Sequence, residues 1–314
     1  MNRKKLFFLS RILVLFFMVS YVVDKVVYYG IRQMESSVYT GQSVGKFNQY
    51  LSIKDSLDFI VFGSSRANHH INPSLISENG YNMGMDGQKI AFSATLCKLL
   101  PKREQTILFH IDPENAVDDL YMAEDLSSLK SMYYKNKIVQ KEMNKYKKLN
   151  PLQQIYWCIS YNGILFGIIK NYLKPNYNYT TYNGYDPLQV NNSSNRNVLK
   201  LDKKEIQVGC KKKGYTLNPI YKAYLTDLKE FSKKNKKQLI FFTSPKLFDN
   251  CKEDNLFLRK EMKKMNLIYK DFSDVLLSST SDLSNWKDAT HLSKKGAENF
   301  TNYVARTVFG PNVK

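Results

Sequence analysis

The chain has 314 residues, enough for one large domain or two ordinary ones, and 43% hydrophobic with 13% aromatic residues supplies a core and excludes wholesale disorder. Its formal net charge of +19, from 47 Lys+Arg against 28 Asp+Glu, suits a polyanion of any kind. No zinc-finger spacing, ribonucleoprotein-type aromatic motif or basic-zipper heptad accompanies the lysines, so nucleic acid is not expected as a partner, and runs such as Lys211-Lys212-Lys213 and Lys233-Lys234-Asn235-Lys236-Lys237 read as solvated loops and helix ends.

In chain order, Arg3, Lys4 and Lys5 precede an apolar run from Leu6 to Val23 that is interrupted by one charge, Arg11. Continued through Val26, Val27, Tyr28 and Tyr29 it reaches the roughly 20 residues that cross a bilayer, at the cost of including Asp24 and Lys25. Arg11 lies near enough to the basic end to snorkel. That end is expected in the cytoplasm and the rest of the chain outside it. No small-x-small cleavage site follows Val23, so residues 1–30 read as an uncleaved anchor rather than a signal peptide. A segment apolar on every face also argues against a buried soluble helix. Residues 31–54 are mixed and polar and read as a stalk.

From 55 onward short apolar runs alternate with amphipathic patterns. The runs 57–63 (LDFIVFG), 105–112 (QTILFHID), 238–245 (QLIFFTSP) and 266–273 (NLIYKDFS) read as strands, with 81–84 (YNMG) as a short fifth. Residues 88–100, 221–235, 253–265 and 293–308 read as helices. Uninterrupted apolar strands alternating with helices predict a flavodoxin-like three-layer α/β/α sandwich around a parallel sheet of about five strands. The alternation breaks at about 118–217, read as a mainly helical insertion. It holds a charged helix pattern (123–148), an apolar one opened by Pro151 (152–173), and a Tyr/Asn-rich tract. The apolar pattern, broken by Asn162, Gly163 and Gly167, is expected to pack on the domain, with a lid or membrane-surface contact as the alternative. Cys97, Cys158, Cys210 and Cys251 form no CxxC pair, so no metal cluster or redox dithiol is signalled. Mostly buried, unpaired thiols are expected, one or two disulfides being the alternative outside the cytoplasm.

The stretch DFIVFGSSRANHHINP puts reactive groups directly behind a strand. In open α/β sheets, ligands collect at the carboxyl ends of strands. Ser64 and Ser65 sit at such an end, and a serine exposed in a tight turn there suits a nucleophile whose own backbone N–H donates to an oxyanion, provided a base arrives from elsewhere. Near the other end of the chain, WKDATHLSKKGAENF holds Asp288 and His291 just ahead of a helix. A carboxylate at that spacing in a turn reaches the imidazole Nδ1 and leaves Nε2 to take a serine proton. Arg66 is a candidate for binding an acidic or phosphorylated substrate, or for pairing within the turn. His69 and His70 lack partners at metal-ligand spacing and are expected to pack over the first helix of the domain, and His110 reads as a hydrogen-bonded core histidine.

Gly-x-Ser after the first strand with Asp-x-x-His before the last helix resembles the SGNH (GDSL-like) hydrolase superfamily. The variant GSSR resembles its membrane-anchored extracytoplasmic branch, which includes the teichoic acid D-alanyl transfer protein and alginate O-acetylation proteins. NMG, TSPK, and DFSD ahead of DATHLSKKGA also match, and the similarity covers roughly 57–112 and 220–310. The resemblance implies Ser65 as nucleophile with Ser64 beside it, His291 as general base, Asp288 as the orienting acid, and the N–H groups of Ser65 and Gly84 as oxyanion donors. One block departs: where the superfamily has Gly-x-Asn-Asp, this chain has HIDPENA, leaving Asn115 and Asp112 only near the position of the donor asparagine. Loss of one such donor costs about two to three orders of magnitude in rate, which suits a transferase with slow or assisted deacylation better than a free esterase. The implied protein is a membrane-anchored O-acyltransferase or acylesterase, without cofactor or metal. It would act on a cell-surface glycan with a membrane-bound acyl-donor protein as a further partner. The alternative is a catalytically weak scaffold that binds glycan or a membrane partner through its basic surface and tyrosines.

Overall fold

The computed structural model describes residues 3–190, 210, 214–249, 251–276 and 282–310; the Lys211-Lys212-Lys213 run and the Tyr/Asn-rich tract beyond 190 lie outside them. Strands β1 (Phe59–Phe62), β2 (Gly80–Asn82), β3 (Gln105–His110), β4 (Lys237–Thr243) and β5 (Tyr269–Asp271) form one sheet in the order β2-β1-β3-β4-β5. Every pairing is parallel. This is the expected flavodoxin-like order, whose switch point lies between β1 and β3.

All four β1 residues are buried, because a parallel strand covered on both faces has no polar side. Phe59, Val61, Leu108, Ile240 and Phe242 face a layer built by α3 (Ser65–His70) and α11 (Lys294–Phe309), where Trp286, Leu292, Phe300 and Val304 fill the core. On the other face, Phe62 packs against Tyr50 and Phe109, Phe109 against Phe241, and the Tyr50 hydroxyl donates to the Leu96 carbonyl of α4 (Ile90–Cys97). Helix α9 (Pro219–Lys234) lies on α4 and β4, and α10 (Glu253–Lys264) contacts β5. Each fully buried phenylalanine contributes roughly 1.5–3 kcal/mol. Asn218 caps α9 by accepting from the Ile220 and Tyr221 N–H groups, with Pro219 at the first helical position.

The chain divides into two compact units: Tyr50–Leu126 with Thr180–Lys314, which holds the sheet, and Met1–Gln49 with Ser127–Tyr179. In the second, α1 (Arg3–Ser36) has 34 residues and is long and apolar enough to cross a membrane. The segment read as a stalk is largely helical: α1 runs on to Ser36, and a π-helical turn at Gly41–Gly45 leads into α2 (Lys46–Ile53). The helix expected over 123–148 is a 3-10 stretch (Glu124–Met132) followed by α6 (Lys137–Lys145), after α5 (Pro113–Ala116) earlier in the chain. The helix expected over 152–173 is three pieces: α7 (Pro151–Ile155), a 3-10 turn (Trp157–Tyr161) and α8 (Leu165–Leu173). Two competitors break it, one distant in sequence and one local. The Asp24 carboxylate accepts the N–H groups of Trp157 and Cys158 at 2.8 and 3.0 Å, and Gly163 turns the chain at φ +84°.

Cys210 and Cys251 are joined in a disulfide 41 positions apart, whereas Cys97 and Cys158 are free thiols, so the expectation of unpaired cysteines holds for two of the four. Closing a loop of that length restricts the unfolded chain. Replacing both residues by serine is expected to lower stability by about 2–4 kcal/mol. Urea unfolding of oxidised wild type and the double variant measures this, and coincident midpoints would contradict it.

Candidate active site

The chain leaves β1 through Gly63 at φ +145°, a conformation that side chains with a Cβ rarely adopt. A Cβ there would lie 2.6 Å from the His110 Cβ and 2.9 Å from the Ala67 Cβ, so only glycine lets the end of β1 turn this tightly against β3. Ser64 follows in extended conformation as the N-cap of α3, and Ser65 opens the helix. The nucleophile candidate is thereby held at the carboxyl edge of the sheet.

The partner arrives on a tight hairpin closed by an antiparallel bridge between Trp286 and Leu292. Asp288 organises its tip: its carboxylate accepts the Thr290 and His291 N–H groups at 2.8 and 2.9 Å. The same carboxylate meets His291 Nδ1 at 3.0 and 3.1 Å. Ala289 pins the loop, its carbonyl accepting the N–H groups of Leu247 and Phe248. His291 Nε2 ends 2.9 Å from Ser65 Oγ across 226 positions of sequence. With Nδ1 donating to the carboxylate, Nε2 carries the lone pair that faces the hydroxyl. Partial burial raises the Asp288 proton affinity, but the donors from His291 and Thr290 outweigh it and hold the carboxyl well below the usual carboxylate range. It is therefore the ionised partner of the ring.

Behind this line sit the chain's other three histidines. His70 Nε2 accepts the Leu292 N–H at 3.0 Å, leaving Nδ1 to donate to Ser244 Oγ at 3.1 Å. Ser244 Oγ then meets His110 Nε2 at 3.2 Å, and His110 Nδ1 lies 3.4 Å from Ser64 Oγ. A hydrogen-bonded path thus joins the residue after His291 to the residue before Ser65. His110 is a core histidine as expected, but one wired to the edge of the site. Burial pushes both His70 and His110 well below the usual imidazole range and keeps them neutral. His69 differs: despite burial, the Asp86 carboxylate at Nε2 and the Asp186 carbonyl at Nδ1 push it upward, and its ring lies edge-on 5.6 Å from that of His291.

These shifts predict acid sensitivity. A folded-state affinity depressed below the ordinary 6.5 gives stability that is fully present above that pH. It is lost as pH falls, because the unfolded imidazole takes a proton the folded one refuses. Each of the two buried rings contributes about 1.4 kcal/mol of loss per pH unit, while His69 acts in the opposite sense. His110→Asn is expected to flatten the acid limb by about that amount in urea unfolding between about pH 7 and 5.5. Equal acid losses in wild type and variant would contradict this.

Ser65 and His291 open into a pocket of about 570 Å³ that Arg66, Gln88, Asp112, Asn115, Lys246 and Phe248 also line. Arg66 is 3% exposed, its guanidinium 2.6 Å from the Asp112 carboxylate and donating to the Ser244 carbonyl at 3.1 Å. It ties together the carboxyl ends of β1, β3 and β4, pairing across the sheet edge rather than within its own turn, while also lining the pocket. Although burial raises the Asp112 carboxyl, Arg66 and Lys246 hold it well below the usual range. Asn115, on α5, lines the pocket near the place the departed block would occupy.

Gly84 is the expected second oxyanion donor. Its N–H donates to Asn82 Oδ1 at 2.8 Å, and it is not a pocket-lining residue. Its glycine identity has a packing reason, since a Cβ would lie 2.5 Å from the Asn68 nitrogen of α3. Sequence reasoning missed Gln88, which reaches the pocket from the Asp86-Gly87 turn and has a buried, unpartnered Oε1. The signal was that turn itself, since Asp-Gly after a strand places the next residues over its carboxyl end.

No family model matches this chain, and no curated protein matches it. The fold and the site together define a class: a parallel α/β sandwich with a hydrogen-bonded Ser–His–Asp line at the carboxyl edge of its sheet.

Proposed function

We propose that the protein is an SGNH-like serine acyltransferase or acylesterase, anchored by α1 and acting outside the cytoplasm on a cell-surface polysaccharide. The observation that carries this reading is the 2.9 Å approach of His291 Nε2 to Ser65 Oγ, with Asp288 on the far side of the ring. Ser65 Oγ attacks the acyl carbonyl as His291 takes its proton, the leaving oxygen recovers that proton, and an acyl-serine remains. An acceptor hydroxyl, from glycan or water, then attacks the acyl carbon with His291 again as base, the bond from Ser65 Oγ to the acyl carbon breaks, and His291 returns the proton to that oxygen. The Ser65 N–H is the backbone donor to the oxyanion, and the Asn115 and Gln88 amides on the pocket wall are the side-chain candidates. Of the described residues that line the pocket, Phe248 and Ala289 carry the apolar side chains, a short apolar stretch that suits a small acyl group such as acetyl. The basic residues before the apolar run and the Cys210–Cys251 disulfide support an extracytoplasmic site. A membrane-bound acyl-donor protein is the proposed partner.

A second reading, a weakly active scaffold that binds glycan, is favoured by the engagement of the Gly84 N–H with Asn82. Pre-steady-state kinetics with an activated acetyl ester separates the two. The enzyme reading predicts a stoichiometric burst of leaving group followed by slow turnover that oligosaccharide acceptors accelerate. The scaffold reading predicts no burst alongside saturable oligosaccharide binding.

A further inference from the structure

The turn between α7 and the 3-10 stretch after it is bound to α1 at the outer end of its apolar run. The Tyr156 hydroxyl is 2.9 Å from Ser20 Oγ, Lys25 Nζ donates to the Ile155 carbonyl, and Asp24 holds the N–H groups of Trp157 and Cys158. The same lysine lies 4.3 Å from the ring centres of both Tyr21 and Trp157, and Trp157 stacks on Tyr134 at 4.5 Å. Tyr and Trp gathered at the end of an apolar span is the pattern of a membrane–water interface. With the apolar run taken to Val23, ahead of the charged Asp24 and Lys25, Ser20 lies roughly 4–5 Å before its end by helical rise. The chain at Tyr156 is therefore held level with the outermost part of that run.

Leu152 and Ile155, spaced to share one face of α7, are 57% and 51% exposed. Ahead of α7, Lys147 is exposed and Lys148 partly so. Scattered exposed apolar side chains need no explanation. This pair differs because hydrogen bonds fix its backbone at the depth where an apolar span meets headgroups. We propose that α7 rests in the outer leaflet of the bilayer that α1 crosses, with Leu152 and Ile155 entering the acyl-chain boundary and Lys147 and Lys148 meeting anionic headgroups. The seat stops α1 from rotating about its axis and makes 150–158 a second membrane contact. It rests on the reading of α1 as a membrane span and not on the chemistry at Ser65.

The test uses the full chain in vesicles of phosphatidylcholine and phosphatidylglycerol. Cys158→Ser removes the accessible thiol, Cys97 is buried, and the disulfide is kept. Nitroxides on single cysteines introduced at Val14, Lys147, Leu152 and Ile155 report collision with oxygen, which partitions into lipid, and with a nickel complex, which stays in water. The expected result is oxygen collision several-fold above nickel at Val14, Leu152 and Ile155, and the reverse at Lys147. Water-like values at Leu152 and Ile155 with a lipid-like Val14 would overturn the seat and leave the span standing. A water-like Val14 would remove both.

Discussion

Ser65→Ala is expected to abolish the acyl-enzyme burst and lower the single-turnover rate by about four orders of magnitude or more. The hydroxyl oxygen is the atom that becomes bonded to the acyl group, and among the described residues the hydroxyl at His291 Nε2 is that of Ser65. His291→Ala is expected to cost a similar factor, and the double variant no more than either single one, because nucleophile and base act as a unit. Ser64→Ala is the matched control: its hydroxyl faces His110 rather than His291, so the burst should survive. Stopped-flow measurement of leaving-group release checks all four proteins. A burst retained in Ser65→Ala would contradict the assignment.

Gly63→Ala is expected to be the most destabilising substitution of the turn, by roughly 2–6 kcal/mol. Two costs combine. A residue with a Cβ at φ +145° is strained by about 1–3 kcal/mol. The added methyl meets His110 at 2.6 Å and Ala67 at 2.9 Å in a packed interior, which costs a further 1–3 kcal/mol. Gly87→Ala provides the contrast, since its φ is +72° but nothing lies within 4 Å of the new Cβ. It should lose only about 1–2 kcal/mol. Urea unfolding followed by circular dichroism measures both, and equal midpoints for Gly63→Ala and wild type would contradict the steric account.

The sheet was legible because its strands are buried on both faces, so that Phe59–Phe62, Gln105–His110 and Lys237–Thr243 stand out as nearly continuous apolar runs between Gly, Pro and Asp. Ser65, Asp288 and His291 were legible because turn chemistry surrounds them: a glycine behind one, and an aspartate three positions before the histidine. The pieces of 150–173 were not legible. Their helical periodicity competes with Asp24, a residue more than a hundred positions away whose carboxylate captures two N–H groups that a continuous helix would use. Gly84 misled for a related reason, since a glycine after a strand serves close packing as readily as it serves a reacting anion, and Asn82 decides between them. The path through His70, Ser244 and His110 joins three distant segments of chain, and no local pattern announces it.

The most direct measurement is reaction of the full-length protein with a fluorophosphonate, followed by peptide mapping of the adduct. A phosphonyl group on the peptide that carries Ser65, absent in Ser65→Ala and His291→Ala proteins that retain the wild-type urea midpoint, is the predicted result. An adduct on another serine, or labelling indifferent to His291, would contradict the claim that an imidazole from the end of the chain activates the hydroxyl behind β1.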